Sequence, residues 1–144
     1  PCRKGSQRVK NKNIRPFAGI DGGLARIKLE QISKIDGVRE VILSTNDEEI
    51  IQIGNSLDIP HLRIDRRPEY LCANDTTTDE LINYVSTLTN ADHILWTHVT
   101  SPFIDVKSYN DAITKYFEIL KRGFDSLMSV TKLQTFVWDK NGPL

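Results

Sequence analysis

Closely spaced cations near the start of the sequence are the residues with the clearest chemical potential. Residues 3–12 contain five of them, namely Arg3, Lys4, Arg8, Lys10 and Lys12. Gly5 and Ser6 lie among these cations, and no acidic residue occurs before Asp21. A glycine lets backbone N–H groups turn toward an anion, and Arg and Lys side chains then neutralise its charge. The run therefore predicts a binding site for a polyphosphate.

Composition alone allows a second interpretation of this basic run, since a basic terminus is often a solvated arm that contacts nucleic acid. Residues 14–19, Ile-Arg-Pro-Phe-Ala-Gly, place apolar side chains and turn formers directly behind the cations. Such anchors favour a loop pinned to a folded body. The run fits neither the dinucleotide pattern G-x-G-x-x-G nor the Walker pattern G-x-x-x-x-G-K-[ST]. We therefore predict a phosphate loop of another kind.

Length and composition limit the classes of protein that the chain can represent. A chain of 144 residues is an ordinary single domain with its own core, and its formal net charge is zero at pH 7. A neutral chain binds nucleic acid poorly, so we expect no nucleic-acid partner. The two cysteines, Cys2 and Cys72, are too few for a disulfide framework or a zinc site. The sequence shows neither a transmembrane segment nor a secretory signal, which predicts a cytoplasmic protein without a membrane partner.

Alternating strands and helices are predicted along the rest of the chain. Apolar runs predict strands at 40–45, 62–64, 93–98 and 126–131. Amphipathic spacing predicts four helices, namely one through Ala25, Leu29 and Ile32, one after Asn46, one after Thr77 and one over 106–120. Two capping boxes, Asn46 with Glu49 and Thr77 with Glu80, are expected to start the second and third helices.

This alternation predicts an α/β fold with a mainly parallel sheet that helices cover on both faces. Such sheets bind ligands beyond the carboxyl ends of their strands. Residues 44–45 and 98–101 follow predicted strands, so we expect them at that edge together with the basic run. The sequence therefore predicts one nucleotide-binding domain over residues 1–144.

Six short segments can be compared with motifs of known enzymes. They are residues 2–13 (C-R-K-G-S-Q-R-V-K-N-K-N), 41–46 (V-I-L-S-T-N), 67–71 (R-P-E-Y-L), 75–78 (D-T-T-T), 100–102 (T-S-P) and 125–130 (D-S-L-M-S-V). In this order they resemble A-R-x-x-S-K-x-x-P-x-K-N, V-x-V-S-T-D, R-P-x-x-L, D-T-x-S, T-S-P and D-S-V-x-S-V. These motifs belong to the cytidylyltransferases that activate acidic sugars as CMP-sugars, above all the acylneuraminate (sialic acid) cytidylyltransferases.

The resemblance implies a three-layer Rossmann-like nucleotidyltransferase fold and a role for each candidate residue. Arg3 and Lys12 would be the catalytic cations, because they would hold the triphosphate and stabilise the charge that develops on it. The nucleotide would also be bound by Gly5, Ser6, Arg8, Asn13, Arg67, Thr76, Thr77 and Thr78, the last four framing the cytidine. His98, Thr100 and Ser101 would contact the acceptor sugar.

Several positions depart from the family pattern, among them Gln7, Asn46, His98 and Val99, the last in place of a Pro. Gln7 stands in place of a Lys, so Arg8 would supply that charge, and Asn46 stands in place of an Asp. His98 replaces a Gln, where an imidazole could hydrogen-bond the sugar or assist its deprotonation. A lone His at a strand end is more often structural, so both interpretations of His98 stay open.

The resemblance implies transfer of CMP from CTP to an acidic sugar of the sialic acid type, with release of pyrophosphate. Two alternatives stay open, namely activation of another sugar acid such as 3-deoxy-manno-octulosonate, and a non-catalytic nucleotide-binding domain. Mg²⁺ is the expected cofactor. We expect three features of the family to lie outside this chain, namely the first strand, the metal-binding aspartates and the homodimer contact. The fold is therefore expected to be incomplete at both ends. The protein ligands of the metal are unknown.

Overall fold

The structure of the chain is a computed structural model that describes residues 2–5, 9–132 and 138–143. Its helices are α1 (Gly23–Ile32), α2 (Glu48–Ser56), α3 (Thr78–Ser86) and α4 (Val106–Leu120). Its strands are β1 (Val41–Thr45), β2 (Leu62–Arg66), β3 (Trp138–Asp139) and β4 (Gly142–Pro143), and a 3₁₀ turn spans Glu69–Cys72. The chain divides into two compact units, Pro1–Asn110 and Asp111–Leu144. One domain over residues 1–144 stays a prediction.

A parallel pair of strands forms the centre of the first unit. β1 and β2 run side by side, with Val41 opposite Leu62 and Thr45 opposite Arg66. The helix α2 connects them, so the three elements form a βαβ unit, which is the building block of α/β folds. The core around this unit contains Cys2, Leu24, Ala25, Leu29, Leu43, Ile50 and Val99. The predicted α/β class, the first two predicted strands and all four predicted helices are confirmed.

The start of α2 differs from the prediction. Asp47 caps this helix, because its Oδ1 accepts a hydrogen bond from the Glu49 N–H at 3.1 Å. The predicted capping box between Asn46 and Glu49 is therefore wrong. Gly54 lies on the inner face of α2, where an added Cβ would stand 2.8 Å from Cδ2 of Leu43. This close approach to β1 explains why the helix contains a glycine despite its poor helix propensity.

A tight turn leads the chain into α1. Phe17 and Ile20 exchange backbone hydrogen bonds of 3.2 and 3.0 Å, and the two residues between them have positive φ, 52° at Ala18 and 76° at Gly19. Two central residues with positive φ are typical of a type I′ turn. Gly23 then starts the helix at φ 52°, and an added Cβ there would stand 2.1 Å from the Arg15 carbonyl oxygen. The chain can therefore enter α1 only through a residue without a side chain.

Two of the predicted strands do not form. Residues 93–98 and 126–131 lie within the described part of the chain and belong to no strand there. Their apolar side chains stay accessible, since Ile94 is 51% exposed and Val130 is 78% exposed. A strand is stabilised by backbone hydrogen bonds to a neighbour about 4.8 Å away. β1 has such a neighbour in β2, whereas neither of these segments has one among the described residues.

The second unit contains the carboxyl-terminal part of α4 and a short hairpin. β3 and β4 pair in antiparallel fashion, and Oδ1 of Asp139 accepts from the Asn141 N–H at 2.7 Å in the turn between them. Phe124, Leu127 and Met128 expose apolar side chains after α4. Within residues 2–5, 9–132 and 138–143, none of the helices has the length and hydropathy required to cross a membrane.

Candidate functional site

Residues 3–13, the basic loop, are fastened to the first unit by several neutral groups, in addition to the Arg3 guanidinium. The Lys4 backbone N–H donates to Oδ1 of Asn46 at 2.9 Å, directly beyond the end of β1. Asn13 donates its side-chain amide to the Arg3 carbonyl at 3.4 Å, and its own carbonyl accepts from the Ala25 N–H at 2.8 Å. The contacts of the Lys4 backbone and of Asn13 use no charged side chain. They position the loop and leave its cations to other contacts.

Arg3, Gly5 and Lys12 are the predicted site residues of the basic loop that the structure describes as able to meet an anion; Lys4 and Lys10 are exposed cations beside them. Gly5 has φ 82° and no heavy atom within 4 Å of the position of a Cβ, so its backbone faces open space. The Nη1 group of Arg3 donates to the carbonyls of Cys72 and Ala73 at 2.8 and 2.9 Å. A guanidinium has five N–H donors, so Arg3 keeps donors for a phosphate while holding these carbonyls. Lys12 is half-buried.

Asn46 joins the basic loop to the 3₁₀ turn. Its Oδ1 accepts from Lys4, while its Nδ2 donates to both carboxylate oxygens of Glu69 at 3.1 Å. An amide can accept and donate in this way, whereas an ionised Asp would only accept and would repel Glu69. Glu69 therefore gives a physical reason for the amide at the position where the family pattern has Asp.

Arg67, which the resemblance assigns to the cytidine, is buried at the end of β1. Its side chain is engaged with Ser44, because Nε donates to the Ser44 hydroxyl at 3.1 Å and Nη2 donates to the Ser44 carbonyl at 2.7 Å. The Arg67 N–H donates to the Thr45 carbonyl at 3.0 Å, and the whole residue is only 5% exposed. Arg67 thus fixes the carboxyl ends of the two strands. Its contact with a base stays a prediction.

Thr76, Thr77 and Thr78 lie at the amino-terminal end of α3. Thr77 and Glu80 form the predicted capping box, with the Thr77 N–H donating to the Glu80 carboxylate at 2.7 Å and the Glu80 N–H donating to the Thr77 hydroxyl at 3.2 Å. Thr76 donates its hydroxyl to a carbonyl of the 3₁₀ turn at 3.1 Å. The contacts of Arg3 reach residues 72 and 73, directly before these threonines, so the structure brings the basic loop close to them.

Tyr84 supports this threonine segment from within α3. Its hydroxyl donates to Oδ1 of Asp65 in β2 at 2.8 Å. Burial, which is the larger cause, and this hydrogen bond to a carboxylate together raise the pKa of Tyr84 to about 12. The phenol therefore stays a hydrogen-bond donor at neutral pH, and α3 is held against the sheet.

The side chain of His98 contacts Trp96. The indole Nε1–H of Trp96 donates to Nε2 of His98 at 3.1 Å, and the two rings meet edge to face with centroids 6.2 Å apart. Desolvation lowers the pKa of His98, which favours the neutral imidazole. Because Nε2 accepts, the proton of the neutral ring is on Nδ1. The Ser101 N–H donates to the His98 carbonyl at 3.2 Å, so His98 begins the turn that follows.

A pocket of about 530 Å³ lies between the basic loop and residues 100–104. Its lining consists of Lys12, Phe17, Leu24, Thr100, Ser101, Pro102, Phe103 and Ile104. The structure therefore brings together Lys12, Thr100 and Ser101, three of the predicted site residues. His98 is not among the described residues that line it. One cation and two hydroxyls on an otherwise apolar wall suit an anionic ligand that carries hydroxyl groups.

Lys28 in α1 is part of this region, although the sequence pattern did not predict it. The side chain is only 1% exposed, and burial lowers the pKa of Lys28. Its Nζ donates to the Ser101 carbonyl at 2.8 Å, to the Tyr109 hydroxyl at 3.0 Å and to the Ile104 carbonyl at 3.4 Å. One signal was present in the sequence, because Lys28 follows Ala25 by three residues and so falls on the apolar face of the helix.

Some predicted contacts lie outside the described geometry. Ser6 and Arg8, together with Gln7, are not among the described residues, so their contacts with phosphate stay predictions. Across residues 2–5, 9–132 and 138–143, no group of three or more His, Cys, Asp or Glu side chains could hold a metal ion. Mg²⁺ requires an octahedron of oxygen ligands. These residues do not supply such a site by themselves, and we assign no chemical step to a metal.

The sequence matches the cytidylyltransferase family over residues 1–142. The chain belongs to the cytidylyltransferase family. Since the match extends over nearly the whole chain, it includes both the basic loop and residues 100–104. It supports the cytidylyltransferase assignment from the motifs and does not single out the acylneuraminate type. No curated protein matches the chain at a significant level.

The fold of this cytidylyltransferase is similar to that of a solved structure, CMP:2-keto-3-deoxy-manno-octonic acid synthetase complexed with CTP. The TM-score is 0.64 at 20% sequence identity. The likeness covers 82% of this chain and 45% of that chain, so this chain spans less than half of the synthetase's length. It confirms the Rossmann-like nucleotidyltransferase fold.

Proposed function

We propose that the chain is part of an enzyme that transfers CMP from CTP to an acidic sugar and releases pyrophosphate. The observation that carries the proposal is the shared pocket, in which Lys12 of the basic loop meets Thr100 and Ser101. Membership of the cytidylyltransferase family supports CTP as the donor. The structural likeness to a synthetase named for an acidic sugar supports the class of acceptor.

The triphosphate would lie along the basic loop. In nucleotidyl transfer an acceptor oxygen attacks the α-phosphate and pyrophosphate leaves, so negative charge grows on the phosphate oxygens. Arg3 and Lys12 would neutralise this charge, and the open backbone at Gly5 would donate N–H groups to it. Because Arg3 also holds the carbonyls of Cys72 and Ala73, it would fix the threonine segment relative to the phosphates.

The acceptor would occupy the pocket next to residues 100–104. Thr100 and Ser101 would hydrogen-bond its hydroxyl groups, and the rings of Phe17 and Phe103, which meet edge to face at 6.3 Å, would cover an apolar face. His98 would serve this sugar as a contact and not as a base. Its Nε2 is occupied by the Trp96 donor, which leaves the Nδ1–H as a donor to a carboxylate or hydroxyl.

Two sugar acids are candidates for the acceptor. The motif resemblance favours a nine-carbon sugar of the sialic acid type. The fold likeness to the 2-keto-3-deoxy-manno-octonic acid synthetase favours an eight-carbon acid of that kind. Both carry a carboxylate and several hydroxyls, which is the chemistry that the pocket offers. Mg²⁺ as cofactor, a homodimer and a cytoplasmic location stay predictions from the family resemblance.

Nucleotide choice tests the donor half of this proposal. In calorimetry with Mg²⁺, CTP should bind at least about tenfold more tightly than ATP or GTP, a difference of about 1.4 kcal/mol. Equal affinities would show that the basic loop is a nonspecific anion site. The acceptor half is tested by pyrophosphate release from the full-length protein with both sugar acids. CTP binding without release in either reaction would instead favour a non-catalytic nucleotide-binding domain.

A further inference from the structure

We propose that Lys28 is a positioning residue for the acceptor, because it holds the carbonyl groups of Ser101 and Ile104 against α1 and so keeps them out of the pocket. The inference rests on the proposed function, which assigns this pocket to an acidic sugar. Lys28 does not line the pocket among the described residues, and its effect on the acceptor would pass through the backbone of the 100–104 segment.

Three carbonyl groups of this segment are directed at side chains of α1. Lys28 Nζ binds the carbonyls of Ser101 at 2.8 Å and Ile104 at 3.4 Å. Gln31, which lies three residues further along the same helix, donates from its Nε2 to the Pro102 carbonyl at 2.8 Å. A carbonyl oxygen carries partial negative charge and would repel an anionic sugar if it faced the pocket. By binding these carbonyls, Lys28 and Gln31 therefore make the pocket wall less negative toward an anionic sugar.

The same geometry directs a hydrogen-bond donor of this segment away from α1. The peptide bonds are trans, so the N–H of each peptide unit points opposite to its C=O. Because the Pro102 carbonyl points at Gln31, the Phe103 N–H points away from α1. Phe103 lines the pocket and is 87% exposed. We infer that this N–H is available to the carboxylate of the acceptor.

The cost of burying Lys28 argues that it does more than stabilise the fold. Among the described residues its Nζ contacts neutral groups, namely two carbonyls, the Tyr109 hydroxyl and the face of the Tyr109 ring at 4.9 Å from its centroid. A buried cation carries a desolvation penalty, which its hydrogen bonds must offset. A methionine of similar volume would avoid this penalty, but it would remove the donor from the two carbonyls and the hydroxyl. The lysine therefore serves to hold these groups in place.

The substitution Lys28→Met in the full-length protein separates these roles. We expect a moderately lower melting temperature, because the two carbonyls and the Tyr109 hydroxyl lose their donor, together with about tenfold faster hydrogen–deuterium exchange of the backbone amides at 98–105. The KM for the sugar acid should rise roughly tenfold or more, as expected for loss of a hydrogen bond to a charged group. The KM for CTP should stay within about twofold, since the contacts of Lys28 do not include the basic loop.

Two further variants complete the test. Lys34→Met removes an exposed lysine near the end of the same helix and should change none of these quantities. Gln31→Leu removes the donor to Pro102 without creating a buried charge and should raise the acceptor KM in the same direction, even if Lys28→Met fails to fold. Unchanged exchange at 98–105 in both α1 variants, or equal rises in the KM values for CTP and sugar, would overturn the proposal. If the wild type turns over no sugar acid, the proposed function fails and the positioning role fails with it. The exchange data would still decide whether the contacts of Lys28 and Gln31 hold the 100–104 segment in place.

Discussion

The basic loop and the 100–104 segment border the same pocket and use lysine in opposite ways. The basic loop is anchored by Asn46 and by the Arg3 guanidinium, and its Lys12 lines the pocket. The 100–104 segment is anchored by a buried cation, Lys28, and presents hydroxyls and an aromatic ring. A loop whose anchors include no lysine can offer its lysine charge to a ligand. A loop anchored by a buried lysine offers neutral groups and backbone donors.

Lys12→Ala should produce the largest effect that distinguishes a ligand-binding lysine from a solvated one. We expect CTP affinity to fall about ten- to a hundredfold, because a charge-assisted contact contributes roughly 1.5–3 kcal/mol. Lys10→Ala is the matched control, since Lys10 is exposed and lies only two residues away. A solvated lysine contributes little, so its removal should change affinity by less than about threefold. Calorimetric titration with CTP measures both variants, and similar losses would mean that the loop acts as a diffuse basic patch.

The elements that sequence predicted correctly are those whose signals are local. The Thr77–Glu80 box forms as expected because its two partners are three residues apart in one helix. The run at 41–45 becomes a strand because β2 lies beside it, whereas the equally apolar run at 93–98 has no paired neighbour among the described residues. A periodic pattern shows that a segment can form a strand. It does not show which other segment will supply the hydrogen bonds.

The same difference between local sequence signals and contacts between distant residues applies to the candidate site. The motif resemblance assigned Lys12 to the nucleotide and Thr100 and Ser101 to the sugar, and these three residues line one pocket. The burial of Arg67 against Ser44 depends on contacts across 23 positions of sequence, and that of Lys28 on contacts across 73 or more. Residue type and spacing cannot reveal such contacts. A lysine on the apolar face of α1 was the available hint.

Asn46→Asp should have a smaller effect, and it tests the neutral anchor of the basic loop. The change restores the residue of the family pattern and places a carboxylate next to Glu69, where Nδ2 of Asn46 now donates. Repulsion between the two carboxylates should loosen the contact with Lys4 and weaken CTP binding a few-fold, as is usual for exposed charges. The loss should shrink at high salt, because screening reduces interactions between exposed charges.

A double-mutant cycle isolates this repulsion. Glu69→Gln in the Asn46→Asp background removes the second carboxylate and should restore most of the CTP affinity, so the two substitutions should be strongly non-additive. Glu69→Gln alone should have little effect, since its side-chain oxygen still accepts from Asn46. Additive losses in the cycle would show that Asn46 does not anchor the loop through Glu69.

His98→Gln should have the smallest effect on the protein at neutral pH, and its pH dependence gives the sharpest test of the 100–104 side. Desolvation lowers the pKa of His98, so the folded state favours the neutral imidazole. The contribution of the neutral imidazole to the free energy of unfolding is fully present above the unfolded pKa of about 6.5. It is lost as the pH falls through the lower pKa of the folded state. Acidification should also break the Trp96 hydrogen bond, because a protonated Nε2 no longer accepts. A change in Trp96 fluorescence below about pH 6.5 should therefore be present in the wild type and absent in His98→Gln.

The kinetics of this variant decide between contact and proton transfer. A glutamine keeps a hydrogen-bonding group of similar reach, so turnover and CTP affinity should stay within a few-fold of the wild type if His98 only contacts the sugar. Loss of a general base would instead lower turnover by roughly 10²–10⁴ and remove the acidic limb of the pH–rate profile. The neutral ring whose Nε2 already accepts from Trp96 favours the first outcome. Normal sugar kinetics with impaired CTP binding would place His98 on the nucleotide side and so contradict the division between the two loops.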